Sequence, residues 1–158
     1  MVAVNPLFAQ IAAAESFSKN PWLVAGMYKL EVSACFFKKG RKGNYVIAEF
    51  KVMESTATDP KFVPNAVGTS VSVVEDLSKD NAMGNIKAML QGIVGCNKDE
   101  LTPEVVQAAL AENGAIDPDT KQPIVNPIVG TKVKLEAYMT TTKKGSPFTA
   151  KTWSHVPA

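Results

Sequence analysis

Apolar and polar residues alternate strictly along two neighbouring segments, 27–37 and 45–54, and a period of two residues is that of a β-strand with one buried face. The segment between them, Lys38 to Asn44, is rich in lysine and glycine, which predicts a β-hairpin. In the first strand the inward positions are Tyr28, Leu30, Val32, Ala34 and Phe36, and the outward ones are Lys29, Glu31, Ser33, Cys35 and Phe37. In the second strand the inward positions are Val46, Ala48, Phe50 and Val52, and the outward ones are Tyr45, Ile47, Glu49 and Lys51.

Three later segments alternate in the same way. Residues 68–74 predict a third strand around Thr69, Val71 and Val73. Residues 131–139 predict a fourth strand and residues 148–156 a fifth, joined by a second Lys- and Gly-containing turn over 140–146. In the fourth strand the inward positions are Val133, Leu135, Ala137 and Met139, and the outward ones are Lys132, Lys134, Glu136 and Tyr138.

Between the third and fourth strands the period becomes helical. Apolar residues recur at helical spacing from Ala82 to Val94, and Gly95 is well placed to end that helix. The sequence Thr102-Pro103-Glu104 is typical of a helix start, and we expect this second helix to run to Glu112. Residues 117–129 contain three prolines and predict an ordered excursion without regular structure.

The order of three strands, a helix pair and two strands indicates a mainly β fold with a helical insert, the order of a five-stranded OB-fold-like barrel. A sandwich would need about seven strands, and a doubly wound sheet would alternate strands and helices throughout. We expect one domain over 1–158. Its parts are an N-terminal arm or short helix over 1–25, strands 1–3 over 26–77, the helical insert and Pro-containing loop over 78–129, and strands 4–5 over 130–158.

The net charge of +2 conceals an uneven distribution. Between residues 75 and 119 nine acidic side chains face three lysines, which gives −6, so the rest of the chain carries +8. Much of this excess falls in or beside the two turns. A polyanion would therefore meet a basic surface and a separate acidic one, although lysines on strands and turns can also simply protect sheet edges from aggregation.

Binding of a single nucleic-acid strand without sequence preference requires cations along the phosphates and aromatic faces on which bases stack. The alternation places aromatic side chains outward beside both turns, and these are Phe37, Tyr45, Tyr138 and Phe148. The cations expected to contact phosphates are Lys38, Lys39, Arg41, Lys42, Lys143 and Lys144, with Lys51, Lys132, Lys134 and Lys151 as flanking residues. Sixteen of the seventeen basic residues are lysine, which suits sequence-independent backbone contact better than base-specific recognition.

Nothing in the sequence favours an enzyme. The single histidine, His155, is expected to lie at the end of a strand, and no phosphate-binding loop, nucleophile motif or metal-ligand spacing occurs. We therefore expect no catalytic residue, no metal and no cofactor. Cys35 and Cys96 fit two reduced thiols or a single bridge, and the absence of an export signal favours the reduced thiols.

The chain resembles bacteriophage single-stranded-DNA-binding proteins of the OB-fold type over roughly residues 26–156. The resemblance rests on Gly26-Met27-Tyr28-Lys29-Leu30, the turn 38–44, the strand 45–52, Gly68-Thr69-Ser70-Val71, the helix 85–94 and Val129-Gly130-Thr131-Lys132-Val133. It implies a role in phage DNA replication, recombination or repair, in the host cytoplasm. Many such proteins end in an acidic tail that recruits partners, whereas this chain ends Lys151-Thr152-Trp153-Ser154-His155-Val156-Pro157-Ala158, so the acidic insert is the candidate replacement.

The sequence is also consistent with two other classes of function. The same barrel could serve as a protein-interaction or virion-associated module whose outward aromatic residues form a subunit interface, or it could bind RNA. The expected partners are single-stranded DNA, replication or recombination proteins and a second copy of the chain. No membrane partner is expected, because the longest apolar stretches fall far short of a bilayer span.

Overall fold

The computed structural model describes residues 6–7, 22–96, 100–141, 144–145 and 147–157. Its elements follow one another in the predicted order, and they are β1 (Gly26–Gly40), β2 (Gly43–Thr56), β3 (Ser70–Asp76), α1 (Ala82–Val94), α2 (Pro103–Ala109), β4 (Lys132–Thr141) and β5 (Pro147–His155). Most of the predicted N-terminal arm lies outside the described residues. The prediction of a mainly β fold with a helical insert is confirmed.

The five strands form one antiparallel sheet in the order β3-β2-β1-β4-β5. β1 is the central strand, and it pairs with β2 along its whole length and with β4 along its first six residues. β3 and β5 are the two edges, so the sheet is not closed into a barrel, and its strand order is compatible with the predicted OB-like fold. Because every neighbouring pair is antiparallel, these two edge strands run in the same direction.

A β-bulge at Ser33 divides β1 into two parts of opposite phase. Val32 pairs with Phe50 and Ala34 with Glu49, so Ser33 has no partner on β2. An extra residue in one strand exchanges the two faces beyond it. Cys35 is therefore buried, with 2% of its surface exposed, and its predicted outward direction is wrong.

Helix α1 covers the inner face of the sheet near β5. Its buried residues include Ile86, Met89, Leu90 and Ile93, which matches the predicted helical stripe. Gly92 allows a close approach to β5, because a Cβ there would lie 2.7 Å from the Cβ of Trp153. The Trp153 ring in turn packs on Phe50, with ring centroids 5.5 Å apart. Gly95 ends the helix in the left-handed conformation, as predicted (φ 76°).

Helix α2 begins as predicted and ends three residues earlier than predicted. The Thr102 hydroxyl accepts a hydrogen bond from the Val105 N–H at 3.3 Å, and Pro103 occupies the first turn. At the other end, the carbonyl of Leu110 accepts a hydrogen bond from the Phe37 N–H of β1 at 3.0 Å. The helix ends where its last carbonyl groups accept hydrogen bonds from other parts of the fold.

Asn126 provides several of those partners. Its side-chain amide donates to the carbonyl oxygens of Cys35, Ala109 and Ala111 at 2.9, 2.8 and 2.9 Å, and its Oδ1 accepts from the Ile128 N–H at 3.0 Å. With 3% of its surface exposed, Asn126 is the only buried polar residue among those described. It joins β1, the end of α2 and the segment that leads into β4.

Two strand predictions need correction at single positions. Thr69 lies just before β3 and is exposed, whereas Val71 and Val73 are buried as predicted. Met139, predicted inward, is 39% exposed, because it lies where β4 extends beyond the start of β1 and only β5 pairs with it. Val133, Leu135 and Ala137 are fully buried, as the alternation predicts.

We expect Asn126→Ala to lower the free energy of unfolding by about 2–5 kcal/mol, because it leaves carbonyl groups of three residues without their donor. The matched change Asn113→Ala removes one acceptor, which receives the Asn126 backbone N–H, and should cost only about 1 kcal/mol. Urea unfolding of both variants measures the difference. Equal losses of unfolding free energy in the two variants would mean that the side-chain amide of Asn126 contributes no more than a single hydrogen bond.

The bulge is tested by thiol reactivity. Burial raises the pKa of the Cys35 thiol to about 12, whereas Cys96 is partly exposed. A thiol reagent at neutral pH should therefore label one cysteine of the native protein quickly, and Cys96→Ser should abolish that fast phase. If native Cys96→Ser still reacts at the rate of the unfolded chain, Cys35 points outward and the bulge is absent.

Candidate nucleic-acid interface

The turn between β1 and β2 presents four cations on a compact backbone. Gly40 pairs with Gly43, and Arg41 and Lys42 form the two-residue connection between them. Gly43 has φ 148°, which favours glycine. All four turn cations are exposed to solvent, and they are Lys38, Lys39, Arg41 and Lys42.

Tyr45 lies on the outer face of the sheet beside this turn, as predicted. It is half-buried and pairs with Lys38 on one side and Asp76 on the other. A Cβ at Gly40 would lie 3.4 Å from the ring of Tyr45, so the ring rests against the glycine backbone. This contact fixes one aromatic face next to the turn cations.

The second aromatic residue on this face is Phe36, which the sequence interpretation placed inward. Phe36 pairs with Ile47, and Ile47 pairs in turn with the exposed Val74 of β3. Residues directly opposite one another in an antiparallel pair share a face. We call this outer-face group of Phe36, Tyr45, Ile47 and Val74 the turn platform.

Phe37 takes the opposite direction. It pairs with Val46, which is 2% exposed and belongs to the core. Its ring is 45% exposed because it lines an apolar groove beside the two helices. The bulge at Ser33 thus exchanges the expected directions of Phe36 and Phe37. Because the two residues are consecutive and of the same type, the sequence does not indicate which of them faces outward.

The flanking lysines predicted on the strands do not form a basic stripe. Glu31 lies between Lys51 and Lys132, because it pairs with both. In the next outward row, Lys29 lies between Glu54 and Lys134. Adding Glu49 and Glu136 gives four lysines and four glutamates on the outer positions of β1, β2 and β4 apart from the turn cation Lys38, so this central area has no net charge.

A second aromatic pair lies beside the β4–β5 turn. Tyr138 pairs with Ala150 and Phe148 with Thr140, and both rings are exposed, at 45% and 43%. β4 runs beyond the start of β1, and only β5 pairs with that part of it; Thr149 of β5 lines one cavity together with Val74 of the turn platform. Lys144 is exposed in the β4–β5 turn, whereas Lys143 lies outside the described residues.

Glu75 and Lys151 face each other across the gap between the edge strands. Burial raises the pKa of Glu75, an effect that a hydrogen bond from Asn85 and the charge of Lys151 reduce. Burial also lowers the pKa of Lys151, and Glu75 opposes that change. Lys151, predicted as a flanking phosphate contact, lines this gap together with Glu75, and the cavity between the two strands has a volume of about 190 Å³.

Within 22–96, 100–141 and the described part of the C-terminal hairpin, no group of three His, Cys, Asp or Glu side chains could hold a metal ion. The predicted strand-end position of His155 is confirmed, and its ring lies against Gly95 at the end of α1. Over the same residues, no helix is long and apolar enough to span a membrane.

The candidate interface therefore consists of the turn platform and the four turn cations. No protein-family model and no curated protein matches this chain.

Proposed function

We propose that the protein binds single-stranded DNA without sequence preference through the turn platform and the four turn cations. The observation that carries the proposal is the placement of two aromatic residues, Phe36 and Tyr45, on one sheet face directly beside four exposed cations. Aromatic faces and cations are the two components that sequence-independent binding of a single strand requires. Duplex DNA offers the same phosphates, but its stacked bases cannot reach the rings.

The composition of the turn supports sequence-independent binding. Three of its four cations are lysines, which act as point charges toward phosphate rather than as bidentate ligands of a base edge. The strand order is compatible with an OB-like fold, a partly open barrel that often binds single strands. On the resemblance stated above, we propose a role in phage DNA replication, recombination or repair, with no catalytic step.

A protein-interaction module is the second candidate, and one observation favours it. Phe36, Ile47 and Val74 form a continuous apolar row across three strands, and such a row can also serve as a subunit contact. The two functions differ in what the turn cations do. A subunit contact has no use for four cations beside its apolar row, whereas a phosphate backbone does.

We expect replacement of the four turn cations by alanine to weaken binding of single-stranded DNA similarly for all base sequences. With about four phosphate contacts, the parent should show a log–log salt slope of about −3, and the variant a slope near zero. Stability should hardly change, since exposed charges contribute little to folding. Fluorescence anisotropy at several salt concentrations, with an RNA strand and a duplex as comparisons, measures this. Unchanged affinity of the variant for single-stranded DNA would exclude the turn as the phosphate-binding site.

Phe36→Ala and Phe37→Ala form a matched pair that separates stacking from packing. Phe36→Ala and Tyr45→Ala should each cost about 1–3 kcal/mol of binding free energy for single-stranded DNA, because each removes a stacking face. Phe37→Ala should leave binding within about twofold, because its ring lies on the other side of the sheet.

Melting temperatures identify any variant whose affinity falls through unfolding, and affinities are compared well below those temperatures. If Phe37→Ala loses binding and Phe36→Ala retains it, the turn platform is not the stacking surface. If Phe36→Ala instead converts an oligomer to a monomer without loss of DNA binding, the interaction module is the better proposal.

A further inference from the structure

Trp22 lies just before β1, and its ring is the most exposed aromatic side chain among the residues that the structure describes. It is 77% exposed, whereas Phe37 and Tyr138 are each 45% exposed. Tryptophan has the largest aromatic face of any side chain, and exposed tryptophans are concentrated at binding surfaces. The position falls in the predicted N-terminal arm, outside both turns.

The backbone that carries this ring is held in place. The side-chain amide of Asn65 donates a hydrogen bond to the carbonyl oxygen of Trp22 at 3.1 Å, and its Oδ1 accepts one from the Val24 N–H at 2.9 Å. Leu23, between them, is 7% exposed and belongs to the core. Trp22 is therefore an exposed ring on a fixed main chain, so a ligand that binds to it loses little affinity to ordering of that chain.

The indole ring lines a cavity of about 270 Å³ in the gap between the two edge strands. Val74 of the turn platform lines it from β3, and Thr149 lines it from β5. Thr149 directly follows Phe148, which belongs to the second aromatic pair. The cavity therefore connects the edge of the turn platform with the strand that carries the second aromatic pair.

The lining of this cavity combines apolar and polar groups. Beside the indole ring and the valines of β3 it has three polar side chains, Ser72, Thr149 and Lys151. A nucleobase has apolar faces and polar edges, so both kinds of group have a use beside it. Among the described residues of the lining Lys151 is the only charged one, since Glu75 lines the neighbouring cavity, so a phosphate meets no carboxylate here.

We propose that Trp22 stacks on a base of the same DNA strand that the turn platform binds, and that the strand continues past Val74 into the gap between β3 and β5. The inference rests on the proposed function and extends its site to the segment before β1 and to β5. Stacking is compatible with sequence-independent binding, because every base has a face.

Tryptophan fluorescence tests this inference, because the chain contains two tryptophans and the other, Trp153, is partly buried against Phe50. An oligothymidylate of about 20 nucleotides, longer than the site of a single OB-fold, is titrated into the parent and into Trp22→Phe. Stacking of thymine should quench the emission of the parent, with the same midpoint as the anisotropy of the labelled oligonucleotide. Trp22→Phe should show almost no quenching, and Trp153→Phe should retain it.

Affinities show whether the ring contributes to binding. Trp22→Ala should weaken binding of single-stranded DNA by about tenfold, an effect typical of the loss of one stacking ring, whereas Trp22→Phe keeps a smaller ring and should stay within about threefold. Phe37→Ala is the matched control, because it removes an exposed ring outside the cavity, and it should stay within about twofold. Melting temperatures of the two Trp22 variants should match the parent, since the ring is exposed.

The outcomes separate this inference from the proposed function. If the labelled DNA binds while the emission of Trp22 stays constant, or if Trp22→Ala binds as tightly as the parent, the strand does not pass Trp22, and only this inference is overturned. If the parent does not bind single-stranded DNA, the proposed function is refuted and this inference with it. A Trp22 emission that shifts with protein concentration in the absence of DNA would also overturn it, because a second copy would then cover the ring.

Discussion

The side-chain amide of Asn126 is the interaction on which the arrangement of this protein depends. Its carbonyl partners belong to β1 and to the end of α2, and its own backbone leads into β4. A buried amide that lacked these partners would cost more than most apolar contacts supply. The hydrogen bonds therefore determine where α2 ends and how the insert lies against β1. The position of the apolar groove follows from them, because α2 forms one of its walls.

A single unpaired residue in β1 separates two surfaces with different chemistry. Before Ser33, the outer face carries lysines and glutamates in balanced rows; beyond it, the outer face carries Phe36 opposite Ile47. The same shift buries Cys35 and turns Phe37 toward the helices. One bulge thus provides both the aromatic surface next to the turn cations and the base of the groove on the reverse side. With a regular β1, Phe36 and Phe37 would exchange faces and Cys35 would lie on the outer face.

Local patterns predicted most of the elements, because alternation and capping depend on neighbouring residues. Val46 to Val52 alternate as predicted, and Thr102-Pro103 begins a helix as predicted. The end of α2 could not be predicted, since the Phe37 N–H that binds Leu110 lies more than seventy residues away. The bulge depends on the pairing partner across β2, so Phe36 could not be assigned to the outer face from sequence. The cancellation of charge around Glu31 likewise becomes visible only once three strands are aligned.

The balanced rows on the outer face determine how this molecule acts on its surroundings at a distance. The fields of neighbouring lysines and glutamates cancel within a few ångströms, whereas those of the four turn cations add together, and the acidic insert adds a field of the opposite sign on the helical side. The turn therefore holds the densest group of exposed cations in the described part of the sheet, with Asp76 paired with Tyr45 beside it. A polyanion would be attracted to the turn more strongly than to the balanced rows, and added salt would remove this difference over distances beyond about 10 Å.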